Sequence, residues 1–155
     1  MTPSPGVRYP MIRYRQITVH DPLYDQEKEL RTRILRTPLG LALTGADLSG
    51  EDRQVHIVAL DDDERVKGCV LVDFSGDRAR IRQIAVDGGC RGKGVGRELM
   101  LLAEQAVRTR GRQTVMLHAR ITARGFFEKL GYCATSGVFL EVTIPHIVLE
   151  KTLKA

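Results

Sequence analysis

Hydrophobic and polar positions alternate in short blocks whose spacing changes along the chain. Residues 11–19 mix Ile, Tyr, Thr and Val and predict a first strand. Asp21 stands where a helix N-cap belongs and Pro22 at the first helical position. Leu23, Leu30, Ile34 and Leu35 then keep a helical spacing as far as Thr37-Pro38. Residues 38–52, with Gly40, Gly45 and Gly50, read as a loop. Three strand-like runs follow, 55–60, 66–74 and 78–86, joined by short polar links that predict an antiparallel meander. In the third, Arg78, Arg80 and Arg82 alternate with Ala79 and Ile81.

The period then returns to that of a helix. Val95, Leu99, Leu102, Ala103 and Val107 recur at three- and four-residue steps over 94–110, and Gly111 stands where a C′ glycine ends a helix. A short strand is expected at 114–118 and a helix at 122–130, ended by Gly131. Two closing strands are expected near 132–143 and 146–153, with Pro145 interrupting any ladder there. The order predicts one α/β (α+β) domain over 1–155 on a mixed sheet. The proline-rich residues 1–10 read as a flexible lead-in.

The 155 residues are enough to bury a core without disulfides or metals. Apolar runs fall short of a membrane span, and no signal peptide is evident, so no membrane partner is expected. Cys69, Cys90 and Cys133 are odd in number and widely spaced, which argues against a disulfide framework or a zinc site and for a cytoplasmic location. Cys133 reads as a small buried residue. The net charge of +5 permits an anionic partner. Aromatic residues are only 5% of the chain, too few to stack single-stranded bases, and no helix carries a groove-reading pattern. No nucleic-acid partner is therefore expected.

The chemistry concentrates in Ile84–Arg97. There a strand runs into Asp87-Gly88-Gly89-Cys90-Arg91-Gly92-Lys93-Gly94-Val95-Gly96, and this turn opens the long helix. Glycines let backbone approach a ligand, the helix N-terminus adds partial positive charge, and Arg91, Lys93 and Arg97 add full charges. A pyrophosphate suits such a loop. A P-loop would need Ser or Thr after Lys93, where Gly94 stands. A dinucleotide fold needs G-x-G-x-x-G, and Gly92, Gly94 and Gly96 are one residue too short.

Arg91-Gly92-Lys93-Gly94-Val95-Gly96 resembles the Q/R-x-x-G-x-G/A motif of the GNAT superfamily of N-acetyltransferases. Arg82–Val86 resembles that family's fourth strand. Ala123–Tyr132 is similar to its A-x-x-F-Y-E-K-L-G-F/Y segment, and Phe139–His146 to the F-x-E-x-x-I-P-H hairpin of a bacterial branch. The resemblance implies a mostly antiparallel sheet of about seven strands, splayed between the fourth and fifth, with acetyl-CoA as cosubstrate and no metal. It implies a cofactor site of Ile84, Ala85, Val86, Arg91, Gly92, Lys93, Gly94, Val95, Gly96 and Arg97. Direct attack by an amine of a small molecule or peptide would carry the acetyl transfer, with the Val86 N–H as oxyanion donor.

Two departures stand out. Phe127 occupies the place of the family's frequent tyrosine, so no proton donor stands there. The fourth strand offers Arg80 and Arg82 in place of a base; these could hold a substrate carboxylate. Glu141 and His146, at matching ends of the last two strands, are the expected catalytic pair, and His118 is a third candidate. A non-catalytic acyl-CoA sensor is the alternative. A C-terminal edge strand would allow a homodimer.

Overall fold

The computed structural model describes residues 11–154; the lead-in expected over 1–10 lies outside them. Eight strands form one sheet: β1 (Arg13–Ile17), β2 (Val55–Leu60), β3 (Val66–Asp73), β4 (Ala79–Val86), β5 (Thr114–Arg120), β6 (Cys133–Ala134), β7 (Phe139–Glu141) and β8 (Ile144–Thr152). Their spatial order is β1-β2-β3-β4-β5-β8-β6, with β7 also on β8. All pairs are antiparallel except β4–β5. The expected meander is present, with one strand more than the resemblance implied.

The helices α1 (Leu23–Arg31) and α3 (Val95–Thr109) cover opposite faces of this sheet, and α4 (Arg124–Lys129) joins the α3 side. β2 lies buried along its whole length because both faces are covered. Val55, Ile57 and Ala59 pack under α3, and Val58 and Leu60 under α1. On α3 the buried stripe is Val95, Leu99, Met100, Ala103 and Val107; Leu102, expected in it, sits on its shoulder. Each large apolar side chain in that stripe contributes roughly 1.5–3 kcal/mol by burial. Gly111, at φ +72°, ends the helix as expected.

Four expectations change. The Asp21 carboxylate accepts from Leu23 N–H at 2.9 Å, but regular helix ends at Arg31 and a wider π-type turn carries the chain through Thr32–Arg36. The loop over 38–52 contains a short helix, α2 (Gly45–Leu48), closed by a Thr44–Asp47 capping box, and then the buried Glu51. Pro145 lies inside β8. Val142 and Thr143 make a two-residue turn with positive φ, so Glu141 and Ile144 close the hairpin. The next pair, Leu140 and Pro145, exchanges no hydrogen bonds, and pairing with β5 begins only at His146. The missing N–H therefore costs the ladder nothing. Finally, β8 is interior, flanked by β5 on one side and by β6 and β7 on the other, so it offers no edge for a second copy.

Candidate active site

Among the described residues β4 and β5 are the only parallel neighbours, and their ladder is short. It pairs Ala79 with Val115 and Arg80 with Met116, and then the strands part. Beyond Arg80 the β5-facing edge of β4 borders a cleft of about 970 Å³.

β4 changes face within this gap. Its register with β3 slips between Cys69 and Leu71, and Gln83 takes a left-handed φ of +55°. Before the bulge Ala79 and Ile81 face α3; after it Ile84 and Val86 do, while Ala85 turns to α1. Asp87 N–H donates to Lys67 O on the β3 side at 2.8 Å. Alternation then turns the Val86 N–H to the opposite edge, toward the cleft.

The glycine loop forms one end of the cleft. Gly92 and Gly94 have φ of +76° and +79°, with open space where a Cβ would stand. Gly94 is the N-cap of α3, and Glu98 is the first residue of that helix whose N–H meets a backbone acceptor, Gly94 O at 3.0 Å. The N–H groups from Gly92 to Arg97 have no backbone acceptor among the described residues, which leaves a set of donors at the positive end of a helix of 15 residues. At Gly96 a Cβ would come within 3.3 Å of the Phe126 ring, so any larger residue would fill this corner. Ile84, Ala85, Val86, Arg91, Gly92, Gly94, Val95, Gly96 and Arg97 all line the cleft; Lys93 does not.

The other end is polar. His118, on β5, has its Nδ1 at 2.9 Å from Glu141 Oε1, and the His146 Nε2 lies 3.7 Å from Glu141 Oε2. His146 is buried, with Nδ1 at 2.9 Å from Ile144 O. The hairpin thus joins Glu141 and His146 as expected and adds His118 between β5 and the cleft. With Nδ1–H given to the carboxylate, the His118 Nε2 carries the lone pair. The Arg80 Nη2 lies 3.2 Å from that same Nδ1, which cannot accept from it while its proton is given to Glu141. Phe127 is buried against Tyr132, whose hydroxyl donates to Glu104 at 2.8 Å and is thereby occupied.

Arg82 departs from expectation. It belongs to a buried network beneath the bulge and is not free to hold a substrate. It donates to Glu51 at 2.7 Å, Gln54 at 2.9 Å and Asp47 O at 2.7 Å. Arg31, fully buried, donates to both Glu51 oxygens, to Glu27, and through Nε to the bulge residue Gln83 at 3.1 Å. Burial alone would push the Glu51 carboxyl up, but the Arg31 guanidinium overrides it and holds the group at about 2. His56 places Nδ1 at 2.8 Å from Glu27 and Nε2 at 2.8 Å from Glu51 O. Both ring nitrogens face acceptors, so this pair holds a proton that neutral imidazole with carboxylate would lack. Burial opposes that proton and the Glu27 carboxylate outweighs it, so the imidazole is raised above its ordinary value.

Arg36 and Arg120 also line the cleft, and neither was picked out from sequence. Both donate to one carbonyl, Leu35 O, at 3.2 and 2.6 Å. β5 runs two residues past the expected end, which puts Arg120 on the same face as His118; a strand drawn to 120 would have revealed it. Cys133 is exposed, contrary to expectation, because β6 is an edge strand. The buried Cys69 thiol is raised by burial and is no nucleophile. Among the described residues, no group of three or more His, Cys, Asp or Glu could hold a metal ion, and no helix is long and apolar enough to cross a membrane.

Comparisons with known proteins agree with this architecture. A family model described as an acetyltransferase (GNAT) domain matches residues 44–153. A Bacillus subtilis protein, a candidate acetyltransferase, is 31% identical over 96 residues, which cover 62% of this chain. The chain spans about two thirds of the length of the curated relatives it matches, 66% and 65%. The crystal structure of an acyl-CoA N-acyltransferase from Pseudomonas aeruginosa superposes with a TM-score of 0.76 at 24% identity, covering 92% of this chain and 100% of that one. An aminoglycoside 6′-N-acetyltransferase crystallised with coenzyme A gives a TM-score of 0.73 at 18% identity, covering 92% and 98%. The short parallel ladder, the bulged fourth strand, the glycine loop and the family match lead to one conclusion: the chain belongs to the GNAT acetyltransferase family.

Proposed function

We propose that the protein is an N-acetyltransferase that moves an acetyl group from acetyl-CoA to an amine of a small molecule or peptide. The observation that carries this reading is the parting of β4 from β5 directly beside the donor-rich start of α3. The residues present fit a pyrophosphate with a pantetheine arm: a helix N-terminus without acceptors, left-handed glycines, and a strand edge without a neighbour. Backbone donors of Gly92–Gly96 would hold the pyrophosphate, with the Arg91, Lys93 and Arg97 side chains adding charge, and Ile84, Ala85 and Val86 would pair with the arm. Acetyl-CoA supplies an acyl group activated as a thioester.

The chain's own residues then have defined tasks. His118 Nε2 takes the proton of the attacking amine. Glu141 fixes the tautomer of His118, and His146 borders the second Glu141 oxygen, so the expected pair acts through His118. Val86 N–H meets the charge that develops on the carbonyl oxygen. Phe127 gives no proton, so the departing thiolate takes one from water. The three free thiols fit a reducing cytoplasm.

The test is release of free thiol from acetyl-CoA across an amine panel. Turnover that Gly94→Glu abolishes supports the reading; absence of CoA binding overturns it. A non-catalytic acyl-CoA sensor is the second reading, favoured by the buried Phe127, and it predicts CoA binding with no thiol release from any amine.

A further inference from the structure

The acceptor end of the cleft holds more positive charge than it neutralises. Arg36 is 6% exposed and pairs with Asp47 at 3.2 Å, yet its Nε has no partner. The Arg80 Nε is also buried without a partner, in the same cleft. Arg120 makes no ion pair among the described residues. It shares the Leu35 carbonyl with Arg36, which brings two guanidinium groups onto one oxygen. A folded protein satisfies nearly all buried donors, and arginine forks match carboxylates. Burial, and then the nearby Arg36 charge, pull Arg120 below its usual value, as expected where an anion is wanting.

The carboxylates that reach this end are few. Asp47 serves Arg36, and Glu141 faces His118 and lies 3.9 Å from Arg80. Glu51 is committed to Arg31 and Arg82 in the buried network. None of them faces Arg120.

We propose that the acceptor amine carries a carboxylate, which Arg36 and Arg120 hold while the amino group reaches His118. The inference rests on the acetyl-CoA reading and narrows its substrate to amino acids, or peptides presenting a carboxylate near the amine. The step itself is unchanged: the N–C bond forms as the C–S bond breaks, and the amine proton passes to His118. The same cationic field disfavours polyamines and other polycations.

The test compares thiol release from acetyl-CoA with the common amino acids and ω-amino acids, with the carboxamides of the same molecules, and with spermidine. Free acids are expected to exceed their amides by roughly 10–100-fold in kcat/KM, the scale of a lost charge-assisted contact. Spermidine is expected to be inert. In Arg120→Gln the acid-to-amide ratio should fall at least ~10-fold, with KM for the acid rising more than kcat falls. Arg36→Gln provides a second variant if Arg120→Gln folds poorly. Amides or spermidine turned over as well as the acids would overturn the inference and spare the acetyl-CoA reading. So would turnover of no carboxylate by a protein that CoA still stabilises, or a ratio indifferent to both variants. A protein that CoA does not stabilise would remove both.

Discussion

Two arginine clusters flank β4, and they differ in one respect that matters. Beneath the bulge, Arg31 and Arg82 give their protons to Glu27, Glu51, Gln54, Gln83 and the Asp47 carbonyl. At the cleft, Arg36 and Arg80 keep Nε protons without acceptors, and Arg120 has only a carbonyl. The first cluster is complete within the protein and therefore belongs to its architecture, where Arg31 braces the left-handed Gln83. The second is incomplete, and its remedy must come from outside. Charge and residue type are the same in both; satisfaction separates structure from recognition.

Removing a carboxylate from the complete cluster should have the largest effect. Glu51→Ala leaves Arg31 and Arg82 short of an acceptor in a buried place and should cost about 3–5 kcal/mol, read as a fall in the urea midpoint. Arg120→Gln, at the incomplete cluster, should leave that midpoint unchanged or raise it. Equal losses at both sites would erase the distinction drawn between them.

Next comes His118→Gln, which removes the proposed base from the cleft and leaves the bracing network alone. We expect a roughly 10²–10⁴-fold fall in kcat, with CoA-induced stabilisation retained. A rate near that of the unaltered protein would reassign the base.

A smaller effect reads the complete cluster alone, through pH. Glu51 is held at about 2 against an ordinary 4.5, so its contribution is present above 4.5 and is lost as pH falls from there toward 2. His56 is raised from 6.5, so its contribution is full below 6.5 and is lost as pH rises through the folded value. Unfolding should therefore become easier on both sides. In His56→Gln the alkaline slope should flatten and the acid slope should remain.

The glycine-loop end of the cleft was legible in the sequence, and the polar end was not. Gly92, Gly94 and Gly96 advertise their backbone requirement by being glycine, and consecutive residues build that end. Gln83 gives no such sign: a left-handed glutamine inside an alternating strand reads as an ordinary strand position, so the change of face it causes was invisible. Glu51 was assigned to a loop because its partners, Arg31, Arg82 and Tyr24, lie 20 to 31 residues away. Arg36 and Arg120 meet only because the π-type turn after α1 and the extra residues of β5 bring Leu35 O between them. Arg80 and Arg82 look alike in the sequence, and only the tertiary partners assign them to different clusters. Glu141 and His146 were legible because a hairpin is a local object.

Acyl-CoA binding at the glycine loop is read by thermal unfolding of the protein and of Gly94→Glu, each with acetyl-CoA, CoA, NAD and ATP at matched concentration. A ligand present at ~100 times its dissociation constant adds about 2.7 kcal/mol, which raises the midpoint of a domain of this size by several degrees. That rise is expected for acetyl-CoA and CoA alone, and its loss in Gly94→Glu, whose side chain would occupy the space before α3. An unaltered protein indifferent to CoA, or a Gly94→Glu protein that still responds to it, would contradict acyl-CoA binding at this loop.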